Sequence, residues 1–477
     1  MKRFFTFFTF LACASAMAQH KVADKVAEYK ALNAPFTQMS VLVASGQPAD
    51  DKVSRALTKS TSAQINASAV NDIVANQYET LEIAVPYQGN TIVVDLYKVN
   101  LFNVNFHVDT DKQQNIAYNR GVYYRGIVKG DNTSLVSFNF FNNELNAIIS
   151  ADGLNNVVVG RLDRAGNTND YVIYSDADMR VPNGFNCNIK EDSMAPVQQS
   201  ESANRDIATN HCVTMYFEID HDLFLQNGSS TSQTNNWITS VFNNVQTLYA
   251  NDDITVALKS VFIWTEDDPY LELSSSESSS DYLYMFNQVR PVFDGDVGQL
   301  VGIDPNGLGG VAVSINGLCS ENNFSYSDVF FSYSTVPTFS WTVQVITHEF
   351  GHLLGSRHTH ACVWNGNNTS IDGCGTQAGY TEGNCATGPI PTVQKGTIMS
   401  YCHLISGVGI SFNNGFGPQP RQAIINAVEA AQCLSSDCIN TCINTVVNIA
   451  VTYPTNNSAT FTWSDLGNAT SWQVSVS

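Results

Sequence analysis

The sequence predicts an α/β domain, preceded by a β-rich region and followed by part of a β-sandwich. Three observations predict this order: β-branched and aromatic runs at residues 78–175, alternating strand and helix patterns at 212–433, and alternating strands again from about residue 445. Strands that alternate with helices favour an α/β sheet with a functional site in a cleft beside it. At 477 residues the chain exceeds the size at which one hydrophobic core stops growing, so more than one domain is expected.

The first 18 residues have the features of a secretory signal peptide. Lys2 and Arg3 precede an apolar run at 4–11, and an Ala-Met-Ala cleavage site ends at Ala18. We therefore expect residues 1–18 to be removed and the protein to be secreted. No other stretch is long and apolar enough to predict a membrane span.

The composition limits the partners. A formal net charge of −20 with 14% charged residues argues against nucleic acid and anionic membranes, because both bind basic patches. The acidic residues could favour calcium or cationic substrates, or they could simply form a solvated surface. Most of the 11 cysteines lie between residues 319 and 442, which favours disulfides in an oxidising compartment.

The N-terminal part is expected to be β-rich. Residues 20–80 have no clear hydrophobic period, whereas 91–97, 122–128 and 134–140 are β-branched and aromatic runs separated by Asn and Gly turns. Residues 176–210 lose periodicity and gain Ser, Gln, Asn and Pro. This composition predicts a linker and a plausible processing site.

Strand and helix patterns alternate in the central part, where a 3.6-residue period or β-branched runs mark each element. The predicted elements are a strand at 212–220, a helix at 234–250, strands at 255–258 and 261–264, a helix at 282–293, a strand at 308–315, and helices at 341–354 and 421–433.

The tail is a separate unit. After a linker at 437–444, residues 445–477 contain three predicted strands at 446–451, 458–463 and 471–476. They resemble the first third of a fibronectin type III domain. Because such a sandwich needs about seven strands, a partial domain is expected.

The residues with the clearest chemistry are His-Glu-Phe-Gly-His-Leu-Leu-Gly-Ser-Arg-His at 348–358. His348 and His352 are four apart, so both side chains leave one face of a helix. Gly355 allows the chain to turn, and His358 can then become a third ligand. Three histidines leave one position of a tetrahedral zinc open for water, and Glu349 is placed to take a proton from that water. A bare HExxH occurs by chance in many helices, but the fixed spacing to Gly355 and His358 makes a chance match rare.

This motif, followed by Gly-Thr-Ile-Met-Ser-Tyr at 396–401, resembles the metzincin clan of zinc endopeptidases. The resemblance implies a metzincin catalytic domain at 206–436 with an active-site helix and a Met-turn. It implies zinc ligands His348, His352 and His358 and the general base Glu349. Met399 would be the Met-turn residue beneath the zinc.

The flanking residues resemble the reprolysin or adamalysin branch, including its bacterial secreted members. This likeness covers residues 212–433 and rests on Tyr-Phe-Glu at 216–218, Gly-Asp-Val-Gly-Gln-Leu at 295–300, Cys319 and Cys433. It implies a Cys319–Cys433 disulfide. For the other four cysteines of this part we expect Cys362–Cys402 and Cys374–Cys385, one of the three pairings that four cysteines allow.

The same branch implies a calcium ion distant from the zinc. Its ligands would be Glu218, Asp296 and the backbone carbonyl of Cys433, and hard oxygen ligands of this kind suit calcium. The usual asparagine after the last cysteine is here Ser436, with Asp437 adjacent. Acidic surface residues without a metal are the alternative.

Two positions near the motif differ from the branch. Thr359 stands where an aspartate is usual. Tyr401 could contact the zinc or hydrogen-bond the developing oxyanion, or it could simply pack in the turn.

Residues 19–205 resemble a propeptide. Cys187 could place its thiolate on the open zinc position and displace the water, as a cysteine switch does. Alternatively, Cys187 could form a disulfide with Cys212.

Together with the expected signal peptide, the resemblance implies a secreted zinc metalloendopeptidase that is made as a zymogen and acts on proteins or peptides. Two alternatives remain. One is an adhesion or binding protein derived from a protease, and the other is a zinc amidase that acts on a non-protein substrate.

Overall fold

The structure, a computed structural model, describes residues 20–46, 51–180, 187, 209–270, 278–305, 307–329, 339–439, 447–452 and 460–464. The predicted signal peptide at 1–18, most of the predicted processing segment at 176–210, much of the linker at 437–444 and the tail strand at 471–476 lie outside these residues. Across the described parts of the chain, no helix combines the length and apolar character that a membrane crossing requires.

The N-terminal region, residues 20–180, is built around a mostly antiparallel sheet. Its strands and helices are β1 (Thr37–Met39), β2 (Leu42–Ala44), β3 (Thr61–Ile65), β4 (Thr80–Tyr87), β5 (Asn90–Val99), β6 (Phe102–Thr110), β7 (Val122–Val128), β8 (Leu135–Phe141), β9 (Glu144–Ala151), β10 (Asn155–Arg161), β11 (Asp170–Ser175), α1 (Lys21–Ala31), α2 (Asp51–Ala56) and α3 (Ala67–Asn76). Ten of the strands pair in the order β1-β4-β5-β7-β8-β9-β10-β11-β3-β2. The three strands predicted in this region are confirmed as β5, β7 and β8.

Three helices occupy the stretch for which the sequence showed no clear period. Helix α1 buries Val22, Val26 and Tyr29 on one face. Helix α3 begins at a capping side chain, because Asn66 Oδ1 accepts a hydrogen bond from the Ala69 N–H at 3.2 Å. Each helix is short, which explains why its periodicity is weak in the sequence.

The central region, residues 209–439, is a mixed α/β fold. Its elements are β12 (Cys212–Ile219), α4 (His221–Gln226), α5 (Thr231–Asn251), β13 (Thr255–Ile263), α6 (Ser279–Val289), β14 (Val297–Gly302), β15 (Gly310–Ala312), β16 (Phe324–Asp328), α7 (Phe339–Leu353), α8 (Cys374–Gln377) and α9 (Pro418–Ala430). The sheet order is β15-β16-β14-β12-β13-β6, parallel except for β15.

Most predicted elements of this region are confirmed, with two corrections. The strands predicted at 255–258 and 261–264 form the single strand β13, whose register shifts between Leu258 and Ser260. A shift of this kind lets one strand continue through an irregular position. Strands β14 and β16 were missed because their Gly, Gln and Ser residues hide the strand pattern.

The two regions share one sheet. Strand β6 belongs to the N-terminal region, yet it pairs in parallel with β13, and Val108 lies opposite Val261. Asn103 of β6 also donates to the Cys438 carbonyl oxygen at 2.8 Å. The sequence predicted separate units on either side of residue 205, and strand β6 is a physical link between them.

Helix α5 contacts both regions with different faces. Its apolar face, including Val241 and Val245, packs in the same core as the central sheet. Its polar face meets the N-terminal sheet, where Asn243 Nδ2 donates to Asn139 Oδ1 at 2.8 Å and Asn146 donates to a serine of α5. The contact between the regions therefore depends strongly on buried amide and hydroxyl hydrogen bonds.

Two strands of the tail are described. Strands β17 (Val447–Thr452) and β18 (Thr460–Ser464) pair antiparallel in their own sheet. The fibronectin type III assignment of residues 445–477 stays a prediction, since a two-stranded sheet occurs in many folds.

Candidate metal centre

Helix α7 carries the first half of the motif. Residues 340–353 are all buried, and the helix packs against β15 and β16. The side chains of His348 and His352 leave it one turn apart, on one face. Gly355 follows with φ +101°, a left-handed conformation that favours glycine, and the chain then turns so that His358 lies near the two helical histidines.

The three histidines converge on one point through their Nε2 atoms. The Nε2 of His348 lies 3.0 Å from that of His358, and the Nε2 of His352 lies 3.1 Å from each of the other two. The Nδ1 atoms of the two helical histidines each have a backbone acceptor. His348 Nδ1 donates to the Ile398 carbonyl at 2.8 Å, and His352 Nδ1 donates to the Ser356 carbonyl at 2.9 Å. The protons therefore lie on Nδ1, and the Nε2 lone pairs face one another.

This arrangement fits a zinc ion. Two nitrogens bound about 2.0–2.1 Å from a tetrahedral zinc are separated by about 3.3 Å, close to the observed distances. Three lone pairs at such separations repel each other unless a cation lies between them. Burial lowers the pKa of His348, His352 and His358, and the neighbouring imidazoles lower it further for the two helical histidines. Neutral imidazoles are the form that binds a metal.

Glu349 lies beside this centre. Its side chain is fully buried, and burial raises the pKa of its carboxyl group well above the usual value. The backbone of Ala312 in β15 also faces this carboxylate and acts against the effect of burial on its pKa. Gly310 in the same strand faces the Glu349 side chain so closely that a β-carbon there would overlap it. The edge strand β15 thus holds the carboxylate near the histidines.

Met399 lies on the other side of the motif. It is fully buried, and a β-carbon at Gly351 in α7 would come within 2.6 Å of the Met399 sulfur. The Thr359 N–H donates to the Met399 carbonyl at 3.1 Å, which ties the residue after the third histidine to this turn. The predicted Met-turn residue is therefore packed against the helix that carries the ligands.

Cys187, which precedes the central region in the sequence, lies beside the three histidines and Glu349. Its Sγ lies 3.5 Å from His352 Nε2 and 3.5 Å from Glu349 Oε2. The Cys187 Sγ and the three histidine Nε2 atoms all lie within 4.8 Å of one another. The backbone of Cys187 pairs in parallel with Gly310 of β15.

Tyr401 holds the backbone of Cys187 in place. The Cys187 N–H donates to the Tyr401 hydroxyl at 3.2 Å, and that hydroxyl donates to the Cys187 carbonyl at 3.1 Å. Burial raises the pKa of Tyr401 well above its ordinary value, so the phenol stays protonated. In this structure the Tyr401 hydroxyl contacts the peptide of Cys187.

Comparison with known proteins agrees with this chemistry. Residues 209–404 match a family model, Reprolysin_5, described as metallo-peptidase family M12. The match supports a metallopeptidase. Among solved structures, metalloproteinase-II from Bacteroides fragilis shows 10% identity over 64% of this chain and 90% of that chain, with a TM-score of 0.35. No curated protein matches the chain.

Glu382 is a residue of the candidate metal centre that the motif does not reveal. His358 Nδ1 donates to Glu382 Oε1 in a very short contact, and His360 Nε2 lies 3.2 Å from the same oxygen. The neighbouring histidines lower the pKa of the Glu382 carboxyl, so it is ionised. A carboxylate behind a metal-binding histidine fixes the tautomer and ring orientation.

Disulfides hold the loop that supplies Glu382. The structure confirms Cys319–Cys433, whereas the expected Cys362–Cys402 and Cys374–Cys385 pairs are wrong. The bonds are instead Cys362–Cys385 and Cys374–Cys402. The physical reason is the loop path: the Cys362 N–H donates to the Glu382 carbonyl at 2.9 Å, which places Cys385 beside Cys362.

The disulfide considered between Cys187 and Cys212 is also wrong. Cys212 opens β12 and bonds Cys438, beyond the last helix of the central region. The Cys212 N–H donates to the Ser435 carbonyl at 2.8 Å, so the chain segment before Cys438 runs beside β12. Cys187 lies instead at the metal centre.

The two carboxylates expected to bind calcium, Glu218 and Asp296, do not come together. Glu218 is fully buried, and its carboxylate accepts hydrogen bonds from the side chains of Tyr216, Trp264, Tyr270 and Arg290. Asp296 instead accepts hydrogen bonds from Thr214. Thr214 lies four residues before Glu218 on β12, and four residues correspond to about 13 Å of strand. Cys433 lies in its disulfide with Cys319. Glu218 is therefore the acceptor of a buried hydrogen-bond network.

Proposed function

We propose that the protein is a secreted zinc metalloendopeptidase of the metzincin type, in the reprolysin-like branch. The observation that carries this proposal is the convergence of three histidine Nε2 lone pairs beside the buried carboxylate of Glu349. His348, His352 and His358 would hold the zinc, and Met399 would form the Met-turn beneath it.

The proposed reaction is peptide hydrolysis. Zinc, when bound, supplies polarisation of the attacking water and of the scissile carbonyl. As the water oxygen bonds to the carbonyl carbon, Glu349 takes a proton from the water. Glu349 then delivers this proton to the leaving amine as the C–N bond breaks. Between these two steps Glu349 holds the proton as a neutral carboxylic acid.

We further propose that residues 19–205 are a propeptide and that the full chain is latent. Cys187 supports this, because its sulfur lies within 3.5 Å of a ligand nitrogen and of the general base. A thiolate there would occupy the position that water needs. After removal of the propeptide, Tyr401 would be available to hydrogen-bond a developing oxyanion.

Export is the remaining part of the proposal. It rests on the predicted signal peptide at 1–18 and on four disulfides among the described residues, which fit an extracellular protein. The linker at 437–444 and a partial fibronectin type III domain at 445–477 complete the proposed organisation.

A casein digest tests the function. The full chain is nicked with trypsin between the N-terminal and central regions, trypsin is inactivated, and casein cleavage is followed. We expect cleavage that 1,10-phenanthroline abolishes and added zinc restores. Zinc-loaded, nicked protein that leaves casein and peptide libraries intact contradicts the proposal, and chelator-sensitive hydrolysis of non-peptide amides alone would favour the amidase alternative.

Glu382 is proposed as a positioning residue for His358. Glu382→Ala is expected to weaken zinc binding by about 10–100-fold, because the ring loses the acceptor that fixes its orientation. Glu382→Gln is expected to lose less, since its amide oxygen still accepts from Nδ1. Competition with a chelating dye measures the zinc dissociation constant.

The matched control for this test is Glu321→Ala, which removes an exposed carboxylate of the central region. The cobalt-substituted proteins are compared by their visible absorption spectra, because these spectra report the geometry of the metal ligands. A general loss of stability would not change them. Unchanged zinc affinity and an unchanged cobalt spectrum in Glu382→Ala would show that Glu382 does not position the ligand.

A further inference from the structure

A cavity of about 520 Å³ lies between the N-terminal and central regions, away from the metal centre. Its walls are partly aromatic. They include Tyr29, Tyr97, Phe102 and Tyr123 from the N-terminal region and Gln246 and Val256 from the central region. The rings of Tyr29 and Tyr97 stack with centroids 5.8 Å apart, so one wall is a continuous aromatic surface.

The charge of this cavity is opposite to that of the protein. Four cationic residues line it, although the chain has only 23 Lys and Arg against 43 Asp and Glu. These cations are Lys25, Lys98, Arg120 and Arg125, and the lining carboxylates are Glu79 and Asp253. A locally positive cavity in a protein of net charge −20 is not expected from composition.

Both lining carboxylates already have cationic partners. Glu79 pairs with Lys98 at 2.7 Å, and Asp253 pairs with Lys21 and Arg421, which lie outside the lining. Lys25 pairs with Glu28 at 2.9 Å. Among the residues that the structure describes, no carboxylate lies at ion-pair distance from Arg120 or Arg125. The excess positive charge therefore belongs to these two arginines.

Arg125 is the more informative of the two. It is buried, at 6% exposure, on strand β7. One Nη atom donates to the side-chain oxygen of Gln246, while its Nε is buried and has no hydrogen-bond acceptor within the described chain. An uncompensated guanidinium in such a place is costly, and an anion that accepts from Nε would remove that cost.

Arg120 stands at the mouth of the cavity. It is exposed, and its guanidinium lies 4.3 Å from the ring centroid of Phe102 and 5.1 Å from that of Phe106. The aromatic faces hold the cation in position without neutralising it. A ligand entering the cavity would therefore meet one fixed cation at the rim and a second one inside.

We propose that this cavity binds an organic carboxylate with an apolar body. The carboxylate accepts hydrogen bonds from Arg125, the apolar body lies against the tyrosine rings, and Arg120 attracts the anion at the entrance. Because both regions line the cavity, a bound ligand contacts both and stabilises their association. This inference does not depend on the proposed proteolysis.

Calorimetric titration of the full chain with 3-phenylpropanoate tests the site. We expect saturable binding at one site, a raised melting temperature, and little binding of the neutral analogue 3-phenylpropanamide. Arg125→Gln is expected to lower the affinity at least about tenfold, the loss typical of a charge-assisted hydrogen bond. Lys129→Gln, which removes an exposed cation next to the end of the same strand but outside the cavity, is expected to bind as the wild type does.

Three results would overturn the proposal. They are absence of binding at millimolar ligand, equal binding of the amide, and unchanged affinity in a folded Arg125→Gln variant. If circular dichroism shows that Arg125→Gln is unfolded, the exposed Arg120→Gln variant decides instead. A severalfold loss of affinity there supports the site, and unchanged affinity contradicts it.

Discussion

Glu349→Gln is expected to retain bound zinc and to lose peptide cleavage by a factor of about 10²–10⁴, the usual contribution of a positioned general base. The glutamine keeps the size of the side chain and its close approach to Gly310, so the fold around β15 should persist. It cannot take a proton from water. Initial rates of casein or quenched-peptide cleavage, normalised to zinc content by atomic absorption, measure the effect.

The control for this variant is Glu321→Gln, which replaces an exposed carboxylate of the same region by a carboxamide. This change should leave the rate unchanged. Full activity in zinc-loaded Glu349→Gln would exclude the mechanism. If zinc is lost together with activity, addition of zinc at saturating concentration separates the two effects, since the general-base role predicts no recovery.

Cys187→Ala is expected to activate the uncut chain. The thiol lies 3.5 Å from His352 Nε2, and its removal would leave the space beside the three histidine nitrogens open to water. The peptide of residue 187 still hydrogen-bonds Tyr401, so the segment should open only part of the time. We expect at least about a tenfold gain in activity, which corresponds to a shift of about 1.4 kcal/mol in the closed–open equilibrium.

The measurement compares uncut and processed protein. The double variant Cys187→Ala/Glu349→Gln should not cleave the substrate. Its inactivity would exclude a contaminating protease as the source of the activity of Cys187→Ala. One result would contradict the prediction: uncut Cys187→Ala is as inactive as the uncut wild type, and both proteins gain full activity after processing. In that case the thiol is not the group that blocks the centre. Latency would then come from the bound backbone alone.

The local part of the candidate site could be predicted from the sequence. Helical spacing fixes the relation between His348 and His352, and the left-handed turn at Gly355 returns the chain to His358. These constraints act within 11 residues, so they need no knowledge of the rest of the fold. Met399 followed from family resemblance, and its role as the Met-turn residue stays a prediction, although it packs close to Gly351 of the helix that carries two of the histidines.

The parts of the site that come from distant segments could not be predicted in the same way. Glu382 reaches His358 from a loop whose path is set by two disulfides, and four cysteines permit three pairings. The calcium prediction took Glu218 and Asp296 as partners, but the register of β12 separates them and gives Glu218 four protein donors. Sequence spacing carries no information about either arrangement.

The fold shows the same distinction. Long elements such as α5 and α7 are predicted well because their apolar residues repeat over several turns. Strand β6 has no local feature that reveals its partner, since its pairing with β13 joins positions about 150 residues apart. Non-local parallel pairing is a property of the whole chain.

The shared strand has a consequence for the processed protein. If the N-terminal region departs after cleavage, β13 becomes the outer strand of the sheet, and the N–H and C=O groups that pair with β6 lose their partners. Such an edge is a template for pairing with other chains. Loss of the N-terminal region would then unblock the metal and at the same time leave the mature protein prone to edge-to-edge association.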